Sequence, residues 1–189
     1  MIYIFGNSHA NFFNGLQPGY EGEHISKKYH TLSIRPMSVM DLKKHYPRLI
    51  EFIKSSDKTR DYILITIGEH DCRMYLAQLI EQTSYVGYKN VIENYTEDFI
   101  SILLDLKNKG YKIIVWGGHP STNLIISKYW SEYMKTLAIK FKLPYISLIE
   151  DLVDKESNIL NLNYYLDSVH LNSATYLPIV ENKLKQFRR

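Results

Sequence analysis

Short apolar runs recur along the chain at 1–5 (MIYIF), 29–34 (YHTLSI), 62–67 (YILITI), 111–116 (YKIIVW) and 144–148 (PYISL), each closed by a polar or glycine-containing turn. Runs of this length and composition predict buried strands. Between them the apolar period changes to that of helices. Leu42, Leu49, Ile50 and Ile53 mark one stripe, and Val91, Ile92, Tyr95, Phe99, Ile102, Leu103 and Leu106 a second that Gly110 ends. Ile126, Trp130, Met134, Leu137 and Phe141 mark a third, and a last helix is predicted over 174–187 with Ser173 as its N-cap. The βαβαβαβα alternation predicts an α/β protein of three layers, α/β/α. Right-handed crossovers make a five-stranded parallel sheet in the flavodoxin-like order 2-1-3-4-5 the simplest arrangement. In such a sheet ligands sit beyond the carboxyl ends of the strands, so the turns GNSHA, GEHDCR and GGHPST are expected to share one cleft.

The 189 residues suit a single domain, 1–189, which buries enough surface to need no metal or disulfide staple. Cys72 is the only cysteine, which excludes an intrachain disulfide. With no export-type apolar stretch after a basic start, the expected location is the cytoplasm. The longest apolar runs fall far short of the roughly 18 residues of a membrane span. Twenty-three basic and 20 acidic residues leave a net charge of +3, and apart from KLKQFRR and two Lys-Lys pairs the basic residues are scattered, so nucleic acid is not implied. The sixteen tyrosines read as half-buried packing rather than as platforms for sugar rings.

The chemistry begins with Ser8, which follows the first strand behind a glycine. A serine hydroxyl is a poor nucleophile until a base takes its proton, and that base works best when a carboxylate fixes its tautomer. Asp167 and His170, three residues apart before the last helix, supply such a pair. A bare helix cap is the alternative reading of Ser8.

Taken together, Gly6-Asn7-Ser8-His9, Gly68-Glu69-His70-Asp71 and Asp167-Ser168-Val169-His170 resemble blocks I, III and V of the SGNH, or GDSL-type, hydrolases, in order and across nearly the whole chain. The resemblance implies Ser8 as nucleophile, His170 as base and Asp167 as its orienting partner, with the Ser8 backbone N–H at the oxyanion. Two positions depart from the family. His70 stands where block III carries an oxyanion-binding Asn, and a neutral imidazole N–H is expected to replace the amide. Block II lacks its glycine, so the backbone N–H of Ser38 or Met37 is the expected donor, Pro36 having none. Gly68 completes the expected oxyanion side of the cleft.

His9, Asp71, Arg73 and His119 are the candidate substrate-binding residues. For each a plainer role exists: packing for His9, a helix cap for Asp71, a partner to Asp71 for Arg73, a tight turn for His119. His24, His30 and His45 read as surface residues. With no His-x-x-x-His or Cys-x-x-Cys pair, and no Gly-x-Gly-x-x-Gly or Walker pattern, neither a metal nor a nucleotide cofactor is expected. The resemblance therefore implies acyl ester chemistry through a serine acyl-enzyme, on a small-molecule or glycan ester such as an acetylated carbohydrate. The same triad would serve an O-acetyltransferase on a polysaccharide precursor, with acetyl-CoA as co-substrate. Decay of the oxyanion donors would leave a catalytically silent binding module.

Overall fold

The first strand, β1 (Ile2–Gly6), is buried along its whole length, and its alternating side chains divide the core. Tyr3 and Phe5 join one apolar cluster and Ile2 and Ile4 the other. A 3₁₀ segment, Ser8–Asn14, leaves its end. The chain returns through β2 (Gly22–Ile25) and β3 (Tyr29–Ser33), then α1 (Leu42–Ile53) and β4 (Tyr62–Thr66). A helical stretch follows in three parts: α2 (Glu69–Asp71), a π turn over Cys72–Leu76, and α3 (Ala77–Glu81). After α4 (Tyr88–Tyr95) and α5 (Glu97–Asn108) come β5 (Lys112–Trp116), α6 (Leu124–Phe141), β6 (Tyr145–Ile146) and α7 (Ile149–Leu152). A 3₁₀ turn at Leu162–Tyr164 and α8 (Ser173–Lys185) complete it. This computed structural model describes residues 1–187 apart from 84, 85, 121, 155, 156, 158 and 168. Ser121 and Ser168, both inside motifs quoted above, and the last two residues of the basic tail thus lie outside the described residues.

The sheet has six strands in the order β2-β3-β1-β4-β5-β6, which corrects the expectation of five. The five predicted strands are parallel and in the predicted order. The sixth, β2, lies antiparallel on β3 at the edge. Its sequence, Gly-Glu-His-Ile, has half-exposed and exposed positions in alternation rather than an apolar run, so the hydrophobic pattern did not reveal it. Charged and polar side chains are what an edge strand needs to discourage pairing with another chain. One of them, Glu23, hydrogen-bonds His30 on β3. His30 is therefore not the surface residue expected: it is 7% exposed, its ring 4.7 Å from Phe52 and 5.0 Å from Tyr3.

On one face of the sheet Tyr3, Phe5, Ile63, Ile65, Ile113 and Val115 meet α1, the π turn and the helices from α3 to α6. On the other, Ile4, Leu64, Ile114 and Trp116 meet Phe12 and Phe13 of the first 3₁₀ segment and Tyr176, Val180 and Leu184 of α8. The helix predicted over 91–106 is two, broken at Thr96, whose buried hydroxyl bonds back to the Ile92 carbonyl at 2.7 Å. Such back-bonding by a threonine competes with the helical ladder. The last helix is capped by Asn172, which accepts from the Ala174 N–H at 3.0 Å, and not by Ser173. The described residues contain no helix long and apolar enough to cross a membrane.

Candidate active site

The end of β1 presses against the end of β4. A Cβ on Gly6 would lie 2.2 Å from the Thr66 hydroxyl and 2.6 Å from its carbonyl oxygen, so only glycine fits there. The next residue, Asn7, is buried and caps the 3₁₀ segment: its side chain accepts from the His9 N–H at 3.1 Å and donates to the Met37 carbonyl at 3.3 Å. Ser8, one residue further, is thereby aimed at the carboxyl ends of the strands.

There it meets His170. Ser8 Oγ lies 3.0 Å from His170 Nε2, and Asp167 Oδ2 lies 2.7 Å from His170 Nδ1. Burial pushes the Asp167 carboxyl up, but hydrogen bonds from the backbone N–H groups of His170 and Val169 and from the His170 ring outweigh it and hold it at about 2. An ionised carboxylate only accepts, so Nδ1 carries the proton and Nε2 offers its lone pair to the Ser8 hydroxyl. The loop between the 3₁₀ turn and α8 is what holds the pair: Asp167 Oδ1 accepts both backbone N–H groups at 2.8 Å. Leu171 then bridges to Tyr165, whose hydroxyl donates to the Pro120 carbonyl at 2.8 Å. Beside Ser8 and His170 opens a shallow recess walled by Phe12, Leu16, Pro18 and Leu166.

The other expected site residues divide. His9 is brought to the recess wall, 5% exposed, its Nε2 2.9 Å from Glu69 Oε2. His119 is buried against it, the two rings 4.4 Å apart in a T-shaped pair. Desolvation, reinforced by the His9 ring, lowers the His119 imidazole to about 3, so it is neutral. Asp71 is not at the recess: it is fully buried, and its Oδ1 accepts from the Val39 N–H at 2.9 Å and the Tyr95 hydroxyl at 2.8 Å. It clips the loop after β3 to the turn after β4. Arg73 pairs with Glu69, Nε to Oε1 at 3.2 Å, and not with Asp71, because Glu69 lies one helical turn before it.

Of the oxyanion candidates, the Ser38 N–H is engaged by Asp41 Oδ2 at 3.0 Å, which corrects its expected role as a free donor. Gly68 serves packing: at φ 111°, a Cβ there would fall 2.5 Å from the Trp130 ring. The His70 ring has Arg73 Nη2 3.4 Å from its Nδ1 and stands edge-on to Tyr75 at 5.7 Å. Two residues that sequence reasoning passed over, Asn7 and Glu69, thus organise the site. The signal was present for Glu69, an acidic residue four before Arg73. Among the described residues no group of three or more His, Cys, Asp or Glu side chains is placed to hold a metal ion.

Neither a protein-family model nor a curated protein sequence matches the chain. Solved structures do. A candidate acylhydrolase of Bacteroides fragilis aligns at a TM-score of 0.67 and 16% identity, over 99% of this chain and 85% of that one. A GDSL-like lipase of Bacteroides thetaiotaomicron aligns at 0.63 and 15%, over 99% and 86%. An acetylxylan esterase of Geobacillus stearothermophilus aligns at 0.63 and 15%, over 98% and 92%. Likeness over nearly the whole length at so low an identity speaks of architecture: the chain has the fold of the SGNH, or GDSL-type, hydrolases.

Proposed function

We propose that the protein is a serine-dependent acyl ester hydrolase that removes a short acyl group, acetyl foremost, from a hydroxyl of a carbohydrate or similar alcohol. The observation that carries this reading is the connected line Ser8 Oγ to His170 Nε2 to Asp167, with separations of 3.0 and 2.7 Å. In it Ser8 Oγ attacks the ester carbonyl carbon while its proton passes to His170 Nε2, and Asp167 steadies the imidazolium. Collapse of the tetrahedral intermediate expels the alcohol, which takes that proton. Water, deprotonated by the same imidazole, then releases the acid and frees Ser8.

The developing oxyanion is bound by the Ser8 N–H, at the start of a 3₁₀ segment where N–H groups lack intrahelical acceptors. His70 supplies the second donor: with Nδ1 turned to the Arg73 guanidinium, its proton belongs on Nε2. The apolar wall of Phe12, Leu16, Pro18 and Leu166 beside Ser8 supports a short acyl group. The acetylxylan esterase among the structural likenesses supports a glycan as the alcohol.

The engaged Ser38 N–H favours one rival, a silent binding module. A fluorophosphonate probe decides between them: labelling mapped to Ser8, together with p-nitrophenyl acetate turnover that Ser8→Ala abolishes, is expected of the hydrolase. Silence toward both reagents in folded protein would overturn it. Adding acetyl-CoA and a sugar acceptor to the same assay detects transfer, the other use of the acyl-enzyme.

A further inference from the structure

Behind the recess lies a charged group that the mechanism above leaves unused. Glu69 is 3% exposed and its two oxygens are divided, Oε2 to His9 Nε2 at 2.9 Å and Oε1 to Arg73 Nε at 3.2 Å. The His9 ring, 5% exposed, stands between this carboxylate and the reacting groups, 5.2 Å from the His170 ring and tilted 33° to it. We propose that Glu69, acting through His9, is a positioning residue for the reaction: it fixes the ring on which His170 rests and sets a buried negative charge behind the imidazole that must become positive.

Three observations support this. Burial pushes the Glu69 carboxyl up, but the hydrogen bond from the His9 ring and the surrounding charges, the Arg73 guanidinium among them, outweigh it and hold it at about 2, so it is ionised and only accepts. His9 Nε2 must then carry a proton, which locks the ring against flipping. The carboxylate is, moreover, kept from water between the His9 ring and the Arg73 guanidinium, its side chain 2% exposed, where a charge without partners would be costly. Finally, the described groups face His170 from distinct elements. Asp167 faces it from its own loop and His9 from the 3₁₀ segment. His119, from the turn after β5, is neutral, and Arg73 is bound to the far oxygen of Glu69.

The inference rests on the serine hydrolase reading, and its experiment separates the two. Kcat and KM for p-nitrophenyl acetate are measured from pH 4.5 to 9 in the wild type and in Glu69→Gln, with thermal unfolding alongside. Gln keeps an oxygen for His9 and loses the charge. The expected result is a KM within about twofold, a kcat lowered roughly tenfold, and an acidic limb of kcat/KM displaced to lower pH, because the His170 imidazolium loses a favourable charge. A folded Glu69→Gln protein with wild-type kcat and an unmoved limb would overturn the inference while leaving the hydrolase intact. If that variant does not fold, His9→Gln is used, which retains a donor for Glu69 and removes the ring. It is expected to lower kcat at constant KM, and wild-type kcat there overturns the inference equally. Absence of Ser8-dependent turnover in the wild type removes the hydrolase reading, and this inference with it.

Discussion

Ser8 and His170 are half-buried, while Asp167 is about half exposed, its side chain at 50%. Its hold on the imidazole comes from three hydrogen bonds within four residues and not from burial. Ser8→Ala and His170→Ala are each expected to remove nearly all esterase activity, and the double variant to be little worse than either, because the two side chains act as one unit. Asp167→Asn is expected to lose up to roughly 10⁴-fold in kcat through tautomer control. Since Asp167 stays ionised down to about pH 2, a loss of rate between about pH 5 and 7 reports an imidazole. Asp71 makes the contrasting case. Desolvation dominates there and raises its carboxyl, so the native state binds the proton more tightly and stability falls as pH rises through 3.8 toward the raised value. Asp71→Asn keeps an oxygen for Val39 and Tyr95 and gives the partnerless Oδ2 an uncharged substitute. It is expected to unfold at or above the wild-type temperature near neutral pH and to remove that pH dependence. Asp71→Ala, which strands two donors, is expected to cost about 1–3 kcal/mol in urea unfolding.

At the level of elements, the site is assembled from the ends of β1 and β4 and the loop before α8. The register that pairs Gly6 with Thr66 decides how Ser8 leaves the sheet. Gly6→Ala is expected to destabilise by about 1–3 kcal/mol or more, as inserted core methyls do. Shortening Thr66 to Ala in the same protein should rescue little, since the backbone carbonyl at 2.6 Å remains; full recovery in denaturant melts would show that only the hydroxyl obstructs. The helical stretch after β4 has a similar logic. Its first turn gives one face to the core through Asp71 and Cys72 and turns Glu69 toward His9. The π turn that follows is a feature often found at functional sites.

For the molecule as a whole, the three-layer arrangement leaves its open ends at the strand carboxyl termini, and the apolar wall beside Ser8 bounds what is expected to enter there. Phe12, Leu16, Pro18 and Leu166 form it. Rates with p-nitrophenyl esters are therefore expected to fall from acetyl to butyryl to octanoyl by tenfold or more across the series, because a longer chain must push against this wall, about 1.4 kcal/mol of barrier for each tenfold. A rising series would mean that this wall opens. Leu166→Ala, at a half-exposed position on the rim, is expected to relax the preference without loss of acetyl turnover.

The sequence by itself determined the five parallel strands, their order and the triad candidates. A buried strand must be apolar throughout, a crossover must be right-handed, and Ser8, Asp167 and His170 stand directly after or before elements that the periodicity marks. It did not determine β2, because an edge strand with one face in solvent has no apolar run to display. Nor did it determine the break at Thr96, where a hydroxyl competes with a ladder that the apolar stripe alone would continue. The polar shell of the site was the least legible part. Asp71 and Ser38 have the chemistry of cleft residues, and only the packing of the loop after β3 decided that each spends its hydrogen bonds within the protein. Glu69 and His9 lie 60 residues apart. Their pairing follows from β1 and β4 being neighbours in the sheet, so a long-range contact, made when those strands pair, gives the buried carboxylate its partner.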